Sequence, residues 1–99
     1  MTWDKLVDEV TARHPGMRAS KMFGMPCLKR ESGKVVAGHW KDGGMNVKLT
    51  DVVEREAALA LPGAELFDPG MGRAMKEWVL VPKGQSDRWL ALVEQAIAG

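Results

Sequence analysis

The chain has 99 residues, 45% of them hydrophobic, and a net charge of +1. This length suits one domain that buries roughly 60 to 70% of its unfolded surface without a metal or a disulfide. No apolar run approaches the roughly 20 residues of a membrane helix, and the first residues lack the apolar stretch of a signal peptide. Cys27 is the only cysteine, which fits a reducing compartment. We therefore predict a soluble, cytoplasmic protein that does not contact a membrane.

The charges are distributed unevenly along the chain. Residues 13 to 48 hold eight bases and two acids, a balance of +6, whereas the rest of the chain has a balance of −5. A basic sheet region beside acidic helices presents a positive face to phosphate groups. A solvated surface without an anionic partner explains the same charges, so the sequence leaves both interpretations open.

The first predicted element is an amphipathic helix over residues 3 to 13. Apolar residues recur at helical spacing on one side, with charged residues opposite them. Thr2 suits the N-cap position. Pro15 disfavours the helical conformation for His14, so we expect the helix to end near Arg13.

The next segment predicts strands, because the apolar period shortens after Lys21. Strand-like runs lie at about 22 to 29, 34 to 40 and 45 to 49, separated by glycine-containing turns. They predict an antiparallel meander of three strands.

The Asp42-Gly43 pair suits a tight hairpin between the second and third of these runs. With a loop of either two or four residues, Trp40 lies opposite Met45, and the apolar side chains share one face. The other face of this hairpin then carries the residues predicted to point outward, which are Ala37, His39, Asn46 and Lys48.

An alanine-rich segment predicts the second helix. Asp51 with Glu54 three residues later forms a capping-box pattern, and Thr50 is a rival N-cap. The helix then runs from Val52 to Leu61 and ends at Pro62-Gly63.

The remaining chain predicts one or two strands and a third helix. Glu65 to Phe67 forms a short strand, and an irregular loop leads to a strand at about 76 to 81. Consecutive apolar residues place this late strand inside the sheet. Ser86 caps a final helix with a broad apolar stripe. The stripe consists of Trp89, Leu90, Leu92, Val93, Ala96 and Ile97.

The order of these elements predicts an α+β fold, with N-terminal, middle and C-terminal helices on a mainly antiparallel sheet. The sheet consists of the meander and the late strand. We expect residues 1 to 99 to form a single domain.

Three short segments resemble the TfoX N-terminal domain family, also called Sxy-like, and more distantly the MmcQ/YjbR group. They are Lys21-Met22-Phe23-Gly24, Asn46-Val47-Lys48-Leu49, and Met75-Lys76-Glu77-Trp78 followed by Val79-Leu80-Val81-Pro82. The resemblance covers about residues 18 to 97 and implies an α+β fold. In TfoX itself it implies a role in regulating natural competence, and in the YjbR group a double-wing fold with suspected DNA binding. None of the segments is a catalytic motif.

No segment supplies the nucleophile, base and orienting group that a reaction requires. Apolar neighbours of Cys27 favour a packed thiol over a nucleophile. His14 and His39 are the only histidines and have no second ligand at metal-binding spacing. Gly70 to Arg73 offers a candidate anion nest, although glycines that permit a loop before a buried strand explain it as well. We predict no catalytic residue, no metal and no cofactor.

The predicted ligand or partner surface combines the polar face of the hairpin with two cations near the late strand. Its residues are His39, Asn46, Lys48, Arg73 and Lys76. The cations belong to it if the late strand lies beside the hairpin.

The first functional hypothesis is a non-enzymatic regulatory or adaptor module that binds a protein partner. A nucleic-acid-binding protein that uses residues 13 to 48 is the alternative, and a binder of small molecules or anions is the second alternative. We expect a monomer or a homodimer, the latter through exposed Met17, Met71 or Trp40.

Overall fold

Six antiparallel strands form one sheet, on which three α-helices pack, in the computed structural model, which describes residues 1–99. The helices are α1 (Trp3–Arg13), α2 (Val52–Leu59) and α3 (Trp89–Ala98), with a 3-10 turn over Lys83–Arg88 before α3. The strands are β1 (Met17–Met22), β2 (Met25–Arg30), β3 (Val35–His39), β4 (Met45–Lys48), β5 (Glu65–Leu66) and β6 (Trp78–Val81). Their order is β1-β2-β3-β4-β6-β5. The α+β prediction is confirmed, and β6 lies inside the sheet as predicted.

The N-terminal ends of α1 and α2 follow the predicted capping pattern, whereas α2 ends at Leu59, two residues before the predicted Leu61. The Thr2 hydroxyl accepts a hydrogen bond from the Lys5 amide at 3.2 Å, and α1 ends at Arg13. The Asp51 carboxylate accepts one from the Glu54 amide at 2.9 Å, so Asp51 rather than Thr50 caps α2.

The predicted Ser86 cap is wrong. The chain leaves Pro82 in a 3-10 turn that contains one non-helical residue, Gln85, and α3 begins only at Trp89. No side chain caps α3. The apolar stripe of α3 is nevertheless placed as predicted, because the cap affects the first turn and leaves the periodicity of the helix unchanged.

The prediction missed one strand, β1, and merged its end with β2. The predicted run from 22 to 29 is broken at Phe23 and Gly24, which form a two-residue turn with φ angles of 51° and 82°. Positive φ at both positions is the geometry of a type I′ hairpin turn. The sequence of β1 lacks apolar alternation, because β1 is an edge strand in which only Met17 is buried.

The predicted register of the β3–β4 hairpin is wrong by one residue. Ala37 pairs with Val47, and His39 with Met45. The loop has three residues, Lys41 to Gly43, because the Trp40 amide bonds to the carbonyl of Gly44 at 2.8 Å. Gly43 has a φ angle of 89°, as expected of a three-residue hairpin loop with a left-handed last residue.

The sheet has one helix-covered face and one face without helices, called the open face below. All three helices contribute side chains to a core of 17 buried residues, together with Leu28, Ala37, Val47 and Val79 of neighbouring strands. The residues that alternate with these, such as Gly38 and Asn46, lie on the open face.

None of the helices combines the length and the hydropathy needed to cross a bilayer.

Candidate functional site

The open face holds a cavity of about 470 Å³. Eight of its ten lining residues are hydrophobic. They include four of the seven methionines, both phenylalanines and two of the four tryptophans. The complete lining is Met22, Phe23, Met25, Trp40, Asn46, Phe67, Pro69, Met71, Met75 and Trp78.

Gly38 gives the floor of the cavity its shape. A Cβ atom at this position would lie 2.6 Å from Met25 Cε and 2.7 Å from Asn46 Oδ1, closer than such atoms approach. Because position 38 lacks a side chain, Met25 from β2 and Asn46 from β4 meet across β3. Any larger residue would push both of them into the cavity.

Phe23 stands at the mouth of the cavity in a strained conformation. Its side chain is fully exposed, and its φ angle of 51° is unfavourable for a bulky residue. The left-handed region costs an L-residue other than glycine roughly 1–2 kcal/mol. Because the exposed Phe23 ring does not pack in the core, its presence at such a cost indicates a role in binding and not in folding.

The segment from Phe67 to Glu77 forms the opposite wall and is fixed at both ends. The Phe67 amide bonds to the Trp78 carbonyl, and the Met75 amide bonds back to the Phe67 carbonyl, each at 2.8 Å. The Asp68 carboxylate accepts hydrogen bonds from the amides of Gly70 and Met71. The backbone therefore holds the exposed Met71 and Met75 side chains beside the cavity.

Aromatic packing stabilises the wall nearest the β3–β4 loop. The rings of Trp40 and Phe67 meet edge to face with centroids 4.8 Å apart. Lys41 lies over the Trp40 ring at 5.2 Å, within the range of a cation–π contact. These contacts fix the Trp40 ring as a rigid part of the lining.

Asn46 is the polar residue of the lining and is only 1% exposed. Its Nδ2 atom lies 3.5 Å from the sulfur of Met25, and its Oδ1 atom has no hydrogen-bond partner. A buried carbonyl oxygen without a partner costs about 1–3 kcal/mol. The floor of the cavity therefore contains a hydrogen-bonding group that the protein itself does not satisfy.

The structure does not bring His39, Asn46 and Lys48 together as one polar cluster. His39 lies on the helix-covered face, stacked on Trp3 with centroids 5.4 Å apart and edge-on to Trp89. Ala37, also predicted to point outward, is fully buried in the core. Both corrections follow from the one-residue shift in register, which moves every β3 side chain to the other face.

The remaining predicted site residues lie at two different places. Lys48 borders a separate polar cavity near the C-terminal end of α3. Arg73 and Lys76 are exposed on the loop that carries Met71 and Met75. Of the five predicted residues, Asn46 lines the apolar cavity, and the two loop cations flank residues of its rim.

Two bases of the basic segment have hydrogen-bond or ion-pair partners within the protein. Arg13 lies 3.4 Å from a Glu9 carboxylate oxygen. Arg30 donates hydrogen bonds to the carbonyls of Ala96 and Ile97 at 3.0 and 2.9 Å, at the end of α3 where carbonyls lack helical partners. Arg30 is thus held against α3, and the half-exposed Arg13 is paired with an acid at the surface, which leaves a smaller basic surface than the sequence suggests.

Cys27 is buried, with 1% exposure, and burial raises the pKa of its thiol. It pairs with Gly38 across β2 and β3 and does not line the apolar cavity. This placement agrees with the packed thiol favoured by the sequence. No three His, Cys, Asp or Glu side chains lie together in a group that could hold a metal ion.

Sequence reasoning named Met71 and Trp40 only as exposed residues of a dimer patch, and it missed the other methionines and both phenylalanines of the cavity. Met17, named as an exposed dimer residue, is buried in the core. The available signal was the pairing of methionines around two turns, at 22 and 25 and at 71 and 75. Methionine on both sides of a turn is unusual for a loop that contacts only solvent, because the side chain is apolar.

A scan against protein-family models, a search of curated proteins and a search of solved structures found no match to this chain.

Proposed function

We propose that this protein is a non-enzymatic binding module that holds an apolar, ring-bearing small molecule in the cavity of the open face. The observation that carries this proposal is a cavity of about 470 Å³ with an apolar lining and one buried polar group. Ligand sites in proteins have volumes of about 300–1,000 Å³, mostly apolar linings and a few polar groups that orient the ligand.

The chemistry of the lining supports binding over catalysis. None of its ten residues has a side chain that ionises. General acid–base catalysis needs a group that exchanges a proton, and covalent catalysis needs an activated nucleophile. Methionine and aromatic side chains supply dispersion contacts instead, and methionine adapts to ligands of irregular shape.

A regulatory or adaptor role, implied by the resemblance to the TfoX N-terminal domain family, remains compatible with ligand binding. Phe23, Met71 and Met75 favour this second candidate, because they form an exposed apolar rim that suits contact with a protein partner. In such a module the ligand and the partner would meet at the same rim.

Nucleic-acid binding is the third candidate. Arg18 and Lys29 occupy facing positions on β1 and β2, which brings two cations together on the outer hairpin. Binding through phosphate contacts would weaken steeply as salt is added. Salt-insensitive binding, or none, to both single- and double-stranded oligonucleotides would eliminate this candidate.

The first proposal is tested with N-phenyl-1-naphthylamine, a neutral, apolar fluorescent probe that carries aromatic rings. We expect saturable binding of one probe per chain, with enhanced probe emission and quenched tryptophan emission. The double variant Phe23→Asn, Met71→Ala removes exposed parts of the rim and should weaken binding at least tenfold, since burying one such side chain contributes about 1.5–3 kcal/mol.

Val53→Ala is the matched control, because Val53 is also a largely exposed apolar residue but lies on α2, outside the cavity lining. Its affinity should equal that of the unmodified protein. Absence of saturable binding, or an equal loss in the control, would contradict the proposal.

A further inference from the structure

We infer that the ligand is a planar ring whose edge carries a hydrogen-bond donor beside an acceptor, and that this edge pairs with the side-chain amide of Asn46. Lactams and amino-substituted nitrogen heterocycles, including the nucleobases, have such an edge. The inference rests on the proposed function and adds the chemical class of the ligand.

The hydrogen bonding of Asn46 is incomplete within the protein. An amide offers two donors and two acceptor sites, yet in this protein Oδ1 has no partner and Nδ2 reaches only the Met25 sulfur at 3.5 Å. A thioether is a weak acceptor. Both ends of the amide are therefore free to take better partners, which a ligand with one donor and one acceptor supplies together.

Asn46 is also held rigidly in place. It lies on β4, whose neighbours on both sides are paired strands, with Gly38 facing it on β3 and Leu80 facing it on β6. A polar group on a central strand keeps its position better than one on a loop, and so it orients a ligand more exactly.

Met25 provides the route to the amide. Its sulfur and its terminal methyl group lie over Gly38, 3.1 Å and 2.6 Å from the place that a Cβ atom would occupy there. Methionine has three rotatable bonds and changes rotamer at low cost. A ligand edge that displaces this flexible chain replaces a weak sulfur contact with two hydrogen bonds.

The shape of the lining favours a flat ring over a flexible chain. Trp40, Phe67 and Trp78 present aromatic surface to the cavity. Aromatic rings stack on one another, and methionine sulfur contacts ring edges favourably. Asparagine reads a donor and an acceptor side by side in adenine, so the geometry of the amide suits this edge.

The experiment compares bicyclic compounds of similar size by calorimetry or by displacement of N-phenyl-1-naphthylamine. 2-Quinolone has the donor and acceptor side by side, quinoline has an acceptor only, and naphthalene has neither. For each compound the dissociation constant is measured in the unmodified protein and in Asn46→Leu. We expect the substitution to weaken the binding of 2-quinolone about tenfold and that of quinoline less. The binding of naphthalene should not change.

A second comparison needs no variant and so does not depend on Asn46→Leu folding. N-methyl-2-quinolone keeps the ring and the carbonyl but lacks the N–H donor. We expect it to bind the unmodified protein about tenfold more weakly than 2-quinolone, although its extra methyl group makes it more apolar. Met25→Ala should raise the affinity for 2-quinolone relative to naphthalene, because it uncovers the Asn46 amide while it removes the same dispersion contact from both compounds.

The results separate this inference from the proposed function. Equal affinity for 2-quinolone and its N-methyl derivative, with no selective effect of Asn46→Leu, would overturn the inference while leaving the cavity as a binding site. Failure of every bicyclic compound and of the fluorescent probe to bind would overturn both.

Discussion

The two faces of the sheet are built differently. The helix-covered face packs apolar side chains from three helices and five strands into one core of 17 residues. The open face is closed by the β1–β2 turn, by Trp40 beside the β3–β4 loop and by the Phe67 to Glu77 loop, and it contains a cavity, an unsatisfied amide and a strained phenylalanine. The strained phenylalanine and the apolar cavity thus lie together on the open face, as expected where a protein keeps a site for binding, whereas buried polar atoms without partners also occur on α3, for example Trp89 Nε1. The predictions below test this contrast.

Leu28→Ala should have the largest effect on stability. Leu28 is fully buried in the core, and removal of a buried leucine side chain costs about 2–5 kcal/mol through lost burial and a residual cavity. Chemical denaturation measures the change in the free energy of unfolding. Met71→Ala, at the exposed rim of the open face, should change it by less than about 0.5 kcal/mol. Similar losses of unfolding free energy in both variants would show that the two faces contribute equally to stability.

Gly38→Ala should cost about 1–3 kcal/mol, because its new methyl group would overlap Met25 and Asn46. It should also weaken probe binding by pushing both side chains into the cavity. Gly84→Ala is the control, since a Cβ atom at Gly84 meets no atom within 4 Å. A neutral effect of Gly38→Ala on both stability and binding would show that the floor of the cavity adapts freely.

Phe23→Asn should stabilise the protein by about 1 kcal/mol while it weakens binding. Asparagine tolerates the left-handed conformation, and Asn-Gly is the preferred pair for a type I′ turn. Thermal and chemical unfolding report the gain, and titration with the fluorescent probe reports the loss. A variant that is less stable than the unmodified protein would show that Phe23 contributes to the fold instead of the site.

The smallest predicted effect is a pH dependence of stability that arises from Cys27. It tests whether solvent is excluded from the open face outside the cavity. Burial raises the pKa of this thiol from the ordinary value of 9.0, so the folded state binds its proton more tightly than the unfolded chain. This contribution to stability is complete below the ordinary thiol pKa and is lost as pH rises through the raised one. The free energy of unfolding should decline as the pH is raised above 9, and this decline should be smaller in the Cys27→Ala variant. Rapid alkylation of native Cys27 at pH 8 would contradict the buried placement.

Local patterns in the sequence determined the helices and the fold class. The apolar spacing of α1 and α3 and the Asp51 cap depend on neighbouring residues, and the structure confirms them. The apolar side of β4 was also predicted correctly, since Met45 and Val47 are buried in the core. These features follow from interactions over a few positions along the chain.

The candidate site depends on a loop length, a strand register and contacts between distant segments, which only the tertiary structure determined. A three-residue loop in place of two or four residues moved His39 and Ala37 onto the helix-covered face and left Asn46 opposite Gly38. The cavity then required segments around residues 23 and 71 to meet across the sheet. Side chains alternate between faces with a period of two, so a change of one residue in a loop reassigns a whole strand, and local propensities differ too little to decide between the two registers. The observed register is determined by the packing of the helices against Ala37, Met45 and Val47, because this packing buries apolar groups on one face only.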